Sequence, residues 1–135
     1  MMLERVMLYV VPGPEGEAAC RWALALARRL GARVFAVHVV SPPAPEGELE
    51  TAEHVEELEE EAWKMLYEVE DDAFELDVKL SLVLEQGDPV ARFVELGASY
   101  EGDLAVVPVG SFRPAELVAR SSVPVVFVRS FKEER

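Results

Sequence analysis

Leu104 to Val109 is an uncharged apolar run of strand length, followed at once by Gly110 and Ser111 and then by a short helical pattern from Pro114. A run without polar alternation is what a strand covered on both faces of a parallel sheet requires. Pro108 lacks an N–H, but one residue from the strand's end the missing ladder bond costs little. Asp103 to Arg113 therefore reads as an interior strand together with the turn leaving its carboxyl end. An open α/β sheet places its ligand crevice at such a turn when the strand order reverses there.

The rest of the chain repeats the strand-then-helix pattern. Arg5 to Val11 is a strand ending in the turn-rich Pro12-Gly13-Pro14-Glu15-Gly16. From Glu17, the residues Ala19, Trp22, Ala23, Leu26 and Leu30 fall on one helical stripe, Glu17 and Arg21 form an i,i+4 pair, and Gly31 is placed to cap the C-terminus. Val34 to Val40 is a second continuous strand, stopped by Pro42-Pro43-Ala44-Pro45. Beyond it, Val55, Leu58, Ala62, Met65, Leu66 and Val69 recur at spacings of three and four, with Trp63 and Tyr67 on the flank, which predicts a helix buried on one side. Glu68, Glu70, Asp71 and Asp72 are unfavourable at the negative end of a helix dipole and place its end near Val69 to Asp72.

Leu76 to Leu84 alternates as a strand with one face partly wet does, and is expected at an edge. Asp88 and Pro89 start the next helix, whose buried stripe is Val90, Phe93, Val94 and Gly97, with Gly97 allowing close approach and Gly102 ending it. A two-turn helix, Pro114 to Arg120, and a last strand, Val123 to Arg129, complete the order βαβαβαβαβ. Short strands alternating with helices imply right-handed crossovers, hence an α/β, doubly wound, five-stranded parallel sheet with helices on both faces. The 135 residues suit a single domain spanning residues 1–135.

The formal charge of −13 is concentrated: residues 46–77 hold fifteen acids against one lysine, and the remainder is nearly balanced. With no basic stripe, phosphate backbones would repel the chain, so no nucleic-acid partner is expected. No uncharged apolar run reaches the roughly 18 residues of a membrane span, and the start M-M-L-E-R-V-M lacks the blocks of a signal peptide. No membrane association is expected, and the location is read as cytoplasmic. Cys20 is the only cysteine, which excludes an internal disulfide.

Three stretches, Ala23 to Val40, Gln86 to Ser111 and Val118 to Val128, together with Met7 to Glu15, resemble the universal stress protein family. The resemblance implies strand order 3-2-1-4-5, with the reversal between the first and fourth strands, and homodimers built on the last strand. In the family's nucleotide-binding branch an acid follows the first strand; alignment puts Pro12 in its place. That branch also carries Gly-x2-Gly-x9-Gly-Ser/Thr after the fourth strand, where backbone amides and a helix N-terminus cradle phosphates. Counted from Gly110, the later positions fall on Arg113, Val123 and Pro124, and the phosphate loop looks deleted.

The candidate residues follow. Pro12, Gly13, Val39, Gly110, Ser111 and Arg113 are those from which a shortened ATP site could be built. Ser111 and Arg113 could hold an anion, but an N-cap and a surface arginine are the preferred reading. His38, on a predicted buried strand, reads as a hydrogen-bonded core imidazole. His54, near Glu50, Glu53 and Glu57, reads as part of a solvated face, and no metal site is expected. Cys20, Trp22 and Trp63 read as packing. No Ser/His/Asp or Cys/His set is evident, so no catalytic residue is assigned. The expectation is a non-enzymatic stress or regulatory module without a cofactor, against an alternative that binds ATP. The apolar strand Val123 to Val128, at a sheet edge, is the expected homodimer surface.

Overall fold

The computed structural model describes residues 2–41 and 48–130. Five strands, β1 (Arg5–Tyr9), β2 (Arg33–Val40), β3 (Leu80–Gln86), β4 (Leu104–Pro108) and β5 (Val125–Val128), alternate with four helices, α1 (Pro14–Leu30), α2 (Glu48–Glu75), α3 (Pro89–Ser99) and α4 (Pro114–Arg120). The strands pair in parallel as one sheet of order β3-β2-β1-β4-β5. The order reverses between β1 and β4, as expected, and β3 is an edge. The Pro42-Pro43-Ala44-Pro45 stop lies outside the described residues.

Two cores result, one on each face. Val6, Leu8 and Val10 project toward α1 and α2, while Met7 and Tyr9 project toward α3 and α4; all five are 4% exposed or less. A strand buried so completely on both sides has no use for a polar residue, which is why β1 and β4 read as continuous apolar runs. β1 stops at Tyr9, not Val11, although Val10 still donates to the Val37 carbonyl at 2.8 Å.

The first helix departs from the expected stripe. It begins at Pro14 and buries Gly16, Ala19, Cys20, Ala23, Leu24 and Ala27, leaving Trp22 and Leu30 41% and 48% exposed. The small residues let the helix lie close to the sheet. At Gly16 the approach is extreme, since a Cβ there would stand 1.8 Å from the Val11 carbonyl oxygen. Gly31 caps the helix in the left-handed region as expected, but Glu17 and Arg21 form no ion pair among the described residues.

α2 runs on to Glu75, past the predicted end at Val69 to Asp72, because its apolar stripe continues through Ala73, 1% exposed, to Val78 beyond the helix. Burying that stripe outweighs a dipole penalty of about 0.3–1 kcal/mol per exposed acid. Leu76 and Val78 thus belong to the helix-ending turn, where Val78 N–H donates to the Ala73 carbonyl, and β3 starts only at Leu80. In α3 the Asp88 carboxylate accepts from Ala91 N–H at 2.9 Å, the predicted cap. That helix ends at Ser99, and Gly102 N–H closes the turn on the Gly97 carbonyl. Gly97 is buried, but an added Cβ would meet nothing nearer than Val123 at 4.0 Å, so close approach is not its reason. β5 begins at Val125, because Val123 is held in the preceding turn by Ser121 Oγ, which accepts from Val123 N–H at 3.2 Å.

The two glycines are expected to behave oppositely. Gly16→Ala must displace α1 from a backbone carbonyl and should cost roughly 2–3 kcal/mol, whereas Gly97→Ala fits and should stabilise by about 0.5–1 kcal/mol through helix propensity. Urea denaturation of both variants checks this; equal effects would contradict the packing of α1.

Candidate ligand site at the strand reversal

The crevice is bounded by the turn after β1, the end of β2 and the turn after β4. Pro12 and Gly13 are exposed on the first turn, Gly13 at φ 92° before the start of α1. Val39, 3% exposed, lies near the end of β2 and joins Pro12 and His38 in lining a recess of about 350 Å³ that α2 closes with Leu58, Ala62 and Met65. Gly110, at φ 93°, makes the turn out of β4, in which Ser111 N–H donates to the Pro108 carbonyl at 3.2 Å. Arg113 is exposed at the N-cap of α4 and makes no side-chain cap. The structure therefore brings Pro12 and Val39 to one recess, and Gly110, Ser111 and Arg113 do not line it.

Phe112 anchors the β4–α4 turn. Flanked by polar and turn residues in Gly-Ser-Phe-Arg-Pro, it is buried against Tyr9 and Phe93, with ring centroids 4.5 and 5.7 Å away, and Tyr9 and Phe93 are themselves 5.4 Å apart in an edge-to-face pair. Three aromatic rings thus pin the β4–α4 turn down on the α3 side of the sheet. A lone apolar residue in a polar turn is the sequence signal for this anchor.

Glu15 is the one acid in the turn-rich stretch after β1, and it is engaged. Its carboxylate accepts from Ser130 Oγ at 2.9 Å and from Ser130 N–H, tying the chain beyond β5 to the first turn of α1. The tie leaves the position held by Pro12 without a substitute acid.

The remaining candidates are placed as follows. His38 Nδ1 lies 2.7 Å from the Val10 carbonyl, so this nitrogen is the protonated donor, and Nε2 is the acceptor in the neutral ring. Burial holds the His38 pKa below its ordinary value, against a smaller upward pull from the Val10 carbonyl. Burial likewise raises the Tyr9 hydroxyl, opposed by a backbone hydrogen bond with Val39. Cys20 is buried, and its thiol is pushed up to about 12 by burial first and by the Asp72 charge second, so at neutral pH it is no nucleophile. Glu53, His54 and Glu57 are exposed on α2, and the side chain of Glu50 lies outside the described residues. Among the described residues no cluster of three or more His, Cys, Asp or Glu could hold a metal ion.

Residues 2–116 match the universal stress protein family, and the chain belongs to that family. A crystal structure of a universal stress protein family member from Burkholderia pseudomallei shares the fold at TM-score 0.85 and 20% identity, over 94% of this chain and 96% of that one. A universal stress protein in complex with cAMP matches at TM-score 0.72 and 22% identity, over 97% of this chain and all of the other. An Arabidopsis thaliana family member with AMP bound matches at TM-score 0.73 and 16% identity, over 97% and 94% of the two chains. At these identities the likenesses establish the fold. No curated protein matches the sequence. No helix among the described residues is long and apolar enough to cross a membrane.

The half-buried imidazole sets a pH dependence. Because the folded pKa of His38 lies below the ordinary 6.5, the unfolded chain takes up this proton first as the pH falls, so folding stability drops below about pH 6.5 and levels off beneath the folded pKa. Well above pH 6.5 both states are neutral and the residue adds no slope. Urea denaturation at pH 7.5, 6.5 and 5.5 should show a smaller decline for His38→Gln than for the wild type; parallel declines would place the imidazole in water.

Proposed function

We propose that this universal stress protein family member is a non-enzymatic stress-response or regulatory module that has lost ATP binding. The observation that carries the reading is the β4–α4 turn: it is short, it lacks the later glycines of the family's phosphate loop, and Phe112 packs it onto Tyr9. Side chains beyond glycine keep backbone amides away from phosphates, and a turn held against the sheet cannot wrap around them. Pro12 in place of the acid, with Glu15 occupied by Ser130, supports the same conclusion. The absence of an assigned catalyst rests on Cys20, whose thiol is held protonated, and on His38, whose Nδ1 is tied to a backbone carbonyl.

A second reading is favoured by the structural likeness to proteins carrying cAMP and AMP. On it, the chain binds ATP through a shortened site drawn from Pro12, Gly13, Val39, Gly110, Ser111 and Arg113. The recess lined by Pro12 and Val39 is apolar enough to receive an adenine, but Gly110, Ser111 and Arg113 do not line it.

The assembly we propose is a homodimer. β5 pairs with β4 on one side only, its four residues are all half-exposed, and a two-fold axis along its open edge would satisfy the backbone groups of both copies. With its strongly acidic helix and no membrane-crossing helix among the described residues, the protein is proposed to act in the cytoplasm, away from nucleic acid.

Two measurements check these readings. Calorimetry with ATP and magnesium should show no binding tighter than about 100 μM, equivalent to roughly −5.5 kcal/mol; low-micromolar affinity would replace the first reading with the second. Light scattering at micromolar concentration should give the dimer mass, and Val126→Lys should reduce it to the monomer; a wild-type monomer would remove β5 as the interface.

A further inference from the structure

α2 carries a second stripe beside its buried one. Glu56, Glu60, Trp63, Tyr67, Glu70 and Phe74 follow one another at spacings of four and three, which places them along one side of the helix. Phe74 is 86% exposed and Tyr67 53%, and Trp63, half-buried, stacks on Tyr67 with ring centroids 5.7 Å apart. Rings and carboxylates thus share one line. Among the described residues the three glutamates of this stripe take part in no ion pair.

Two relations fix where the stripe faces. Each of the buried residues Ala62, Leu66, Val69 and Ala73 is followed by a member of the stripe and preceded by Glu61, Met65, Glu68 or Asp72, so the two sets flank the buried line on opposite sides. The preceding set lines a groove toward α1. α2 packs on β2 and β3, and β3 is the outermost strand, so the stripe looks out past β3. Helix and strand are also tied at both ends. Val78 N–H donates to the Ala73 carbonyl just before β3, and at its far end Gln86 Nε2 donates to the Glu59 carboxylate. Stripe and strand therefore run side by side.

The edge of that strand is open. Among the described residues β3 pairs with β2 alone. Val34 N–H donates to the Lys79 carbonyl and Gly87 N–H to the Val40 carbonyl, so the odd-numbered residues of β3 turn their backbone groups toward β2. Leu80, Leu82 and Leu84 consequently turn their N–H and C=O groups outward, where no described residue meets them. Proteins blunt such edges with lysine, proline or a bulge. Leu80–Gln86 contains neither residue, and its register with β2 is unbroken.

We propose that this edge accepts an extended segment of a partner protein that carries arginine at alternate positions. The segment's backbone continues the ladder on Leu80, Leu82 and Leu84, while its guanidinium groups lie on the rings of Tyr67 and Phe74 and meet the glutamates of the stripe. Alternate residues of a strand share one face, so every second side chain is presented to α2. Arginine combines an apolar stem, a planar cation that stacks on a ring and a fork that fits a carboxylate. An apolar side chain would cover the rings but strip water from uncompensated glutamates. A helix would leave the outward backbone groups of β3 unpaired. A second copy of this chain has the wrong sign, because two-fold pairing of the edge would set stripe against stripe and glutamate against glutamate. The homodimer proposed above uses β5, at the opposite end of the sheet, and leaves β3 free.

An acetylated and amidated heptapeptide alternating arginine and threonine is the probe. Calorimetry should show saturable binding, weakened about five-fold or more by Tyr67→Ala/Phe74→Ala. This double substitution leaves the charge unchanged, so diffuse attraction to an acidic helix would not register it. Both residues are exposed, and thermal melts establish that the variant is folded. Hydrogen exchange followed by NMR should show the Leu80, Leu82 and Leu84 amides slowed about ten-fold or more at saturating peptide. An absence of saturable binding, equal binding by the double variant, equal binding of an isomer with its arginines in one block, or unchanged exchange at the three amides would each overturn the proposal. Slowing of the same amides by raised protein concentration without peptide would also overturn it, by assigning the edge to a second copy. The inference does not rest on the proposed loss of nucleotide binding, and an ATP titration does not bear on its outcome.

Discussion

The whole molecule depends on β1 being buried on both faces. Val6, Leu8 and Val10 anchor α1 and α2, Met7 and Tyr9 anchor α3 and α4, and the strand's backbone is paired on both sides by β2 and β4. Each of these side chains would contribute roughly 1.5–3 kcal/mol by leaving water, so these consecutive positions, four on the strand and Val10 just past its end, represent a large share of what holds the layers together. The price is paid in design freedom: between Val6 and Leu8 no side chain on β1 carries a polar group, and function has to come from the turns at its carboxyl end and from the helices around it.

Those turns are set by packing more than by ligand chemistry. Gly16 brings α1 against the Val11 carbonyl, which fixes how the chain leaves β1 and leaves Pro12 and Gly13 exposed at the turn. On the other side of the reversal, the aromatic contacts of Phe112 with Tyr9 and Phe93 bring the β4–α4 turn down on the sheet. Both are short-range steric effects. Together they shape a strand reversal whose recess is lined mainly by apolar side chains, with His38, Ser41 and Glu61 among them.

Charge is handled by segregation. The acids of α2 occupy the faces left over once Ala62, Leu66, Val69 and Ala73 are turned inward, so repulsion among them is screened by solvent rather than stored in the core. The same helix also carries Phe74, 86% exposed, next to that inward stripe. Nothing in the described residues explains the exposure of this ring. The separation of α2 from α1 leaves one line of its carboxylates facing a groove.

Much of the fold was legible in the residues themselves. Continuous apolar runs marked β1, β2 and β4, alternation marked β3 as an edge, and Gly31, Asp88 and Pro89 marked helix ends, because these signals depend only on backbone conformation and local burial. The strand order came from resemblance; periodicity cannot say which strands are neighbours. Ala19 and Ala23 were placed correctly on the inward face of α1, but the large Trp22 and Leu30 were preferred to the small Gly16 and Ala27, and only contact with the sheet reveals that smallness was the requirement. The end of α2 was placed too early because a local dipole argument cannot count the burial of Ala73 and Val78, which comes from distant strands. At the candidate site, the missing acid at Pro12 and the missing glycines were visible one residue at a time. That Val39 shares a recess with Pro12, that Gly110, Ser111 and Arg113 stay outside it while Phe112 packs onto Tyr9 and Phe93, and that acids of two helices come to line one groove were decided by tertiary structure alone, since each is a distance between segments far apart in the chain.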